Sequence, residues 1–106
     1  MRDMTAREVN AYLERVQPRP LLLDVREPWE YGICHLQGVR LIPMRAIPTS
    51  LKGLDAAQET IVICHHGIRS RQVALFLEQQ GFKNTINLRG GMAAWARDVD
   101  PNIPTY

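Results

Sequence analysis

Thr60-Ile61-Val62-Ile63-Cys64-His65-His66-Gly67-Ile68-Arg69-Ser70 is the stretch whose reading decides the fold. Three β-branched aliphatics run into a cysteine, a short polar turn follows, and from Ser70 the spacing becomes helical. Val73, Ala74 and Leu77 stand at i, i+1 and i+4, one buried helix face, with Phe76 beside them. The pattern predicts a buried strand, a loop over residues 64–69 and a helix beginning at that loop. A cysteine so placed lies at the carboxyl end of a strand and faces the amino end of a helix. Unpaired N–H groups and the positive end of the helix dipole favour an anion there. A thiolate is such an anion. Arg69 and Arg71 supply fixed charge, and His65 and His66 could add more. Gly67 permits a turn with φ > 0, which lets successive N–H groups converge. Cys64 is therefore a candidate nucleophile at the rim of an anion cup. The same pattern also fits a small buried cysteine in an ordinary strand–loop–helix connection.

Outward from this unit, helices and strands alternate. Thr5-Ala6-Arg7-Glu8 is a capping box, and Val9, Leu13 and Val16 mark one side of the helix it opens, with Pro18 and Pro20 stopping it. Leu21-Leu22-Leu23-Asp24-Val25 reads as a central parallel strand. Pro28 suits the first turn of a short helix through Tyr31. Residues 39–42 read as a short strand ended by Pro43. In residues 44–54, Ile47, Leu51 and Leu54 are helically spaced, but Pro48 and Gly53 limit any helix to about two turns. The central helix should run to about Gln80 with Gly81 as its cap. A strand follows around residues 85–88, then a turn at Gly90-Gly91 and a last helix over residues 92–97. Residues 98–106, with two prolines, read as extended packing or partial disorder. Alternation of this kind predicts an α/β fold with a parallel sheet covered on both faces.

Bulk properties narrow the function classes. A chain of 106 residues makes a single domain, residues 1–106, and 45% hydrophobic with 23% charged residues is ordinary globular composition. Thirteen basic and eleven acidic residues leave a net charge of +2, so no polyanion-binding field follows and no nucleic acid is expected. No apolar run approaches the length of a membrane span, and no secretory leader opens the sequence as given. Two cysteines make no disulfide framework, so a reducing, cytoplasmic setting is the expectation.

Four segments, in order, resemble the single-domain rhodaneses. Cys64-His65-His66-Gly67-Ile68-Arg69-Ser70 resembles that family's active-site loop, which begins with cysteine and commonly closes with Gly-x-Arg-Ser. Leu22-Leu23-Asp24-Val25-Arg26-Glu27-Pro28-Trp29-Glu30-Tyr31 resembles its first signature, Cys34-His35-Leu36-Gln37-Gly38-Val39 its Gly-His-Ile-x-Gly-Ala segment, and Leu88-Arg89-Gly90-Gly91-Met92-Ala93-Ala94-Trp95 its closing Gly-Gly-x-x-x-Trp signature. The resemblance implies a three-layer α/β/α fold around a mainly parallel five-stranded sheet. That is one strand more than the pattern resolves, and the role is left open between residues 19–23 and a short edge strand near the N-terminus that would share it. It further implies a sulfurtransferase without metal or organic cofactor. Cys64 would take the sulfane sulfur of a small donor, thiosulfate or a persulfide, and pass it to a thiol or a sulfur-carrier protein. The groups of His65, His66, Gly67, Ile68, Arg69 and Ser70 would bind the substrate, with Arg69 either favouring the thiolate or bracing the loop through its carbonyls.

Alternatives stay open from the residues alone. A phosphatase or arsenate-reducing relative also uses a strand–Cys loop–Arg–helix cup, although with C-x5-R where this chain has C-x4-R. A non-catalytic protein-binding domain is the other. Cys34-His35 with Cys64-His65-His66 could be imagined as a metal site, but adjacent residues on extended chain diverge and no zinc spacing is present. Asp24 and Arg26 share a side of their strand end and suit tying down neighbouring backbone and carboxylates. His35 reads as a scaffold hydrogen-bonder, and Cys34 departs from the family's usual glycine. His65 and His66 stand where the family frequently has arginine, which weakens the hold on doubly charged donors. Trp29, Tyr31, Trp95 and Tyr106 could form an aromatic rim, although three lie in or near helices beside aliphatics and suit the core. Limited alkylation at neutral pH followed by peptide mapping should label Cys64 before Cys34; equal or reversed labelling would remove the anion-cup reading of the loop.

Overall fold

A computed structural model describes residues 1–106. Five strands form one sheet: β1 (Arg2–Thr5), β2 (Leu21–Asp24), β3 (Arg40–Leu41), β4 (Thr60–Ile63) and β5 (Thr85–Arg89). Every pairing is parallel and the spatial order is β1-β5-β4-β2-β3. The fifth strand is the N-terminal edge strand β1. It escapes a pattern reading because it is four residues long, largely exposed, and carries Arg2 and Asp3 rather than aliphatics.

Between strands run α1 (Ala6–Arg15), α2 (Pro28–Ile33), α3 (Ile47–Ser50), α4 (Ile68–Gln79) and α5 (Gly91–Asp98). The capping box is formed in full: the Thr5 hydroxyl accepts the Glu8 N–H and the Glu8 carboxylate accepts the Thr5 N–H. Pro48 and Gly53 confine α3 to one turn flanked by 3₁₀ turns over Met44–Ala46 and Leu51–Gly53. Helix α4 ends in a Schellman motif. Phe82 N–H reaches the Leu77 carbonyl and Gly81 N–H the Glu78 carbonyl, with Gly81 at φ +96°. The helix starts earlier than its apolar spacing suggests. Gly67, at φ +91°, is the N-cap, so Arg69 belongs to the first helical turn and the irregular loop is correspondingly shorter.

The period-two alternation of the strands sorts the core into two halves. Leu22, Ile61, Ile63, Ile86 and Leu88 face α1 and α5, where they meet Val9, Met92 and Trp95. Leu23, Val25, Val62 and Cys64 face the other way, onto Val73, Ala74 and Leu77 of α4 and Ile47 of α3. This is the expected three-layer arrangement. From β2 the chain moves outward to β3, and from β4 it moves the opposite way to β5. The carboxyl ends of β2 and β4 therefore flank a topological switch point, the crevice where open α/β sheets place ligands. Val25 lies beside Cys64 there, its N–H bonded to the Ile63 carbonyl.

Replacing the fully buried Ile61 by alanine should cost about 3 kcal/mol of unfolding free energy in denaturant titration, because a cavity opens under β4. Removing the Thr5 cap with Thr5→Ala should cost about 1 kcal/mol in the same assay.

Candidate active site

The loop after β4 is shaped by its neighbours. The Cys64 carbonyl accepts the Met92 N–H at 2.9 Å and the His65 carbonyl accepts the Ala93 N–H at 3.0 Å, so the first turn of α5 holds the loop from behind. Only glycine fits at Gly91, since a Cβ there would overlap the carbonyls of Cys64 and His65. Gly67 likewise lies against the backbone of Gly90. The Gly-Gly turn thus exists to let two backbones touch.

With its back anchored, the loop turns Gly67 N–H onto Cys64 Sγ at 3.0 Å. Cys64 is buried, 1% exposed, and its thiol donates to Ser70 Oγ at 3.2 Å. Ser70 donates to Asn87 Oδ1 at 2.5 Å, and Asn87 Nδ2 donates to Asp3 Oδ1 at 2.9 Å and to the Gly67 carbonyl at 3.3 Å. Gly67 offers no side-chain cap to α4, so the N–H groups of the helix's first turn have no partner within it. Of the remaining loop residues, Ile68 stands 68% exposed and His65 packs between His66, at a ring separation of 3.9 Å, and Tyr106, at 4.0 Å.

Arg69 does not bond the loop carbonyls. Its guanidinium grips Glu30 of α2 through two bonds of 2.7 and 2.8 Å. The Arg69 bond holds the Glu30 carboxyl at about 2, against the opposing push of burial, and the same bond raises Arg69. Glu30 is thus ionised throughout the neutral range. Its contribution to stability is complete above the ordinary carboxyl pKa and is lost progressively as pH falls from there through about 2. His65 adds no fixed positive charge. Burial, reinforced by His66, pushes its pKa below the ordinary histidine value, so it is neutral at neutral pH.

Under the loop lies Arg26, fully buried. It chelates Asp24 at 2.7–3.1 Å and donates to the Cys34 carbonyl at 2.6 Å and to the Tyr106 hydroxyl at 2.9 Å. Burial pulls Arg26 down, yet the bonds to Asp24 and Tyr106 outweigh it and the net shift is upward. The Tyr106 hydroxyl in turn donates to Glu30 at 2.7 Å, and burial lifts its pKa to about 12. The chain's end is therefore docked at the site rather than loose. Trp29, 64% exposed, leans edge-on against Tyr106 and is not a core residue, whereas Trp95 is. Cys34 takes an extended conformation, φ −161°, which any residue adopts, so its departure from glycine is accommodated. His35 caps the end of α2 through the Tyr31 carbonyl at 3.0 Å and stacks on the Tyr31 ring.

The structure thus gathers Cys64 through Ser70 at one mouth and adds Glu30 and Asn87, to which the sequence reading assigned no role there, and Tyr106, which it named only for an aromatic rim. A signal for Asn87 existed: it shares a strand face with Thr85, opposite Ile86 and Leu88, where a buried amide needs partners. Glu30 is the N3 residue of α2 and accepts the Glu27 N–H, a local reason for a glutamate that masks its long-range one.

The family model for the rhodanese-like domain matches residues 5–98. The chain belongs to the rhodanese-like family. A rhodanese-like domain protein of Staphylococcus aureus superposes with a TM-score of 0.83 at 32% identity, over 90% of this chain and 91% of that one. A protein of Allochromatium vinosum named a sulfurtransferase is 36% identical over 83 residues, 78% of each chain. The Arabidopsis thaliana chloroplastic rhodanese-like/PpiC domain-containing protein 12 is 44% identical over 89 residues. This rhodanese-like chain spans 30% of the length of that plant relative, whereas 80% of the chain itself is matched.

Gly91→Ala should abolish Cys64 alkylation, with the helical circular dichroism retained, because the loop must leave its support. Gly81→Ala is the control. It also carries a positive φ, but a Cβ there meets nothing within 4 Å, so it should cost about 1 kcal/mol of stability and leave Cys64 labelling unchanged.

Proposed function

We propose that this rhodanese-like domain is a sulfurtransferase that carries sulfane sulfur as a persulfide on Cys64. The observation that supports it best is the buried Cys64 Sγ, receiving the Gly67 N–H beside an uncapped helix start. Ionised, Cys64 attacks the outer sulfur of a donor such as thiosulfate, its proton having passed to solvent. The S–S bond of the donor breaks with its electron pair on sulfite, and a new S–S bond joins that sulfur to Cys64. An acceptor thiolate then attacks the outer sulfur and Cys64 departs as the thiolate, a ping-pong sequence without net redox change. The Gly67 N–H, 3.0 Å from Sγ, and the free N–H groups of the helix start stabilise each anion in turn. Small thiols and sulfur-carrier proteins are acceptors of the right chemistry, and the reducing cytoplasm suits two unpaired cysteines. The C-x4-R loop favours this reading over phosphate chemistry, since the longer C-x5-R ring suits a tetrahedral oxyanion bonded through its central atom.

Intact-mass measurement after excess thiosulfate should show one added sulfur on the protein, removed by cyanide as thiocyanate. Cys64→Ser should show none, and Cys34→Ser should keep most of the transfer. Aryl phosphates should remain unhydrolysed; Cys64-dependent phosphatase turnover without persulfide would overturn the assignment.

A further inference from the structure

Of the guanidinium groups on and beside the loop, all but that of Arg89 are held by a carboxylate. Arg69 is paired with Glu30, Arg71 with Asp3, Arg26 with Asp24, and Arg45 with Glu27. His65 is neutral. Arg89 has no carboxylate partner, but it is exposed, in a cleft of about 450 Å³ that it lines with His66, Gly67 and Arg71, where water and salt screen it. What the loop offers an incoming anion is therefore the Gly67 N–H and the first turn of α4, roughly half a unit of positive charge. Among the pairs whose arginine reaches the surface, that of Glu30 is the one with a buried carboxylate. It is two-pronged, and it is braced by the Tyr106 hydroxyl and the Glu27 N–H.

We infer that Glu30 is a specificity-determining residue, which by neutralising Arg69 tunes the site toward sulfane donors of single negative charge and away from the thiosulfate dianion. The inference rests on the sulfur-transfer reading and narrows its donor class to persulfides and thiosulfonates. A donor with one charge meets the partial positive charge of the helix start and needs no free arginine. A second charge, borne on the leaving group, meets an arginine whose field is cancelled by Glu30. The chemistry is the same for both classes: Cys64 bonds to the outer sulfur, and the electron pair of the broken S–S bond leaves on a thiolate, a sulfinate or sulfite.

The test compares thiosulfate with methanethiosulfonate, in which a methyl group replaces one oxyanion. Cyanide serves as acceptor for both, and kcat/KM is divided by each donor's rate with a free thiol to remove the difference between leaving groups. The wild-type protein should favour methanethiosulfonate. In Glu30→Gln the preference should move toward thiosulfate by about tenfold, through KM rather than kcat, and thiosulfate turnover should become salt-dependent. Gln retains the acceptor for the Glu27 N–H, and circular dichroism establishes that the variant folds. If it does not fold, His66→Arg, which adds an unpaired cation without touching Glu30, should move the preference the same way. A wild-type preference for thiosulfate, or an unmoved preference in a folded Glu30→Gln, overturns the inference while leaving sulfur transfer intact. Failure of both donors to load Cys64 instead defeats the sulfur-transfer reading, and this inference with it.

Discussion

The contact between the loop carbonyls and the first turn of α5 sets the shape of everything at the mouth. In a trans peptide the C=O and the following N–H point in opposite directions. Drawing the Cys64 and His65 carbonyls onto Met92 and Ala93 therefore turns the N–H groups of His65 and His66 away from α5. The anion-facing character of the loop is a consequence of what lies behind it. That is why two glycines far along the chain matter to a cysteine they do not touch through side chains. It also explains why β5 and α5, which bear no reacting group, share the most confined packing with the site.

Charge is the second organising constraint. An arginine with no exposure is tolerable only if its donors are satisfied, and Arg26 meets this with Asp24, the Cys34 carbonyl and Tyr106. Tyr106 then joins this buried group to the Glu30–Arg69 pair, accepting from Arg26 and donating to Glu30. Elements as distant in sequence as β2, α2, α4 and the chain's end are thus linked by hydrogen bonds beneath and beside one sulfur. Rigidity around Cys64 follows from that linkage, since no member can move without leaving a charge or a hydroxyl unpaired.

Much of this was legible in the sequence because local rules and fold agree. The alternation of Leu22 with Leu23, and of Ile61 with Val62, is the imprint of a sheet covered on both faces. The Thr5 capping box and the Gly81 stop follow from backbone chemistry alone. What local patterns left open depends on contacts across long separations. β1 owes its strand state to pairing with β5, not to its own residues. Arg69 can be seen from sequence to be near the cysteine, but not that Glu30, thirty-nine positions earlier, would claim both of its donor edges. The Tyr106 ring, at the end of a proline-bearing tail, carries no periodic signal at all.

On the proposed sulfur-transfer reading, the depth of Cys64 has a consequence for regiochemistry. As a member of the core half that faces α4, it presents almost no surface of its own. A persulfide has two sulfurs open to a thiol nucleophile, and attack at the wrong one yields a mixed disulfide and free sulfide. Packing of Val73 and Ala74 against the inner sulfur's side of the sheet, with Ser70 closing over it, denies the in-line approach that such an attack requires. Only the terminal sulfur of the proposed persulfide, carried outward beyond the loop, would be reachable. Burial of the candidate nucleophile, which looks unhelpful for reactivity, would thereby select handover of the atom over its loss as a toxic gas.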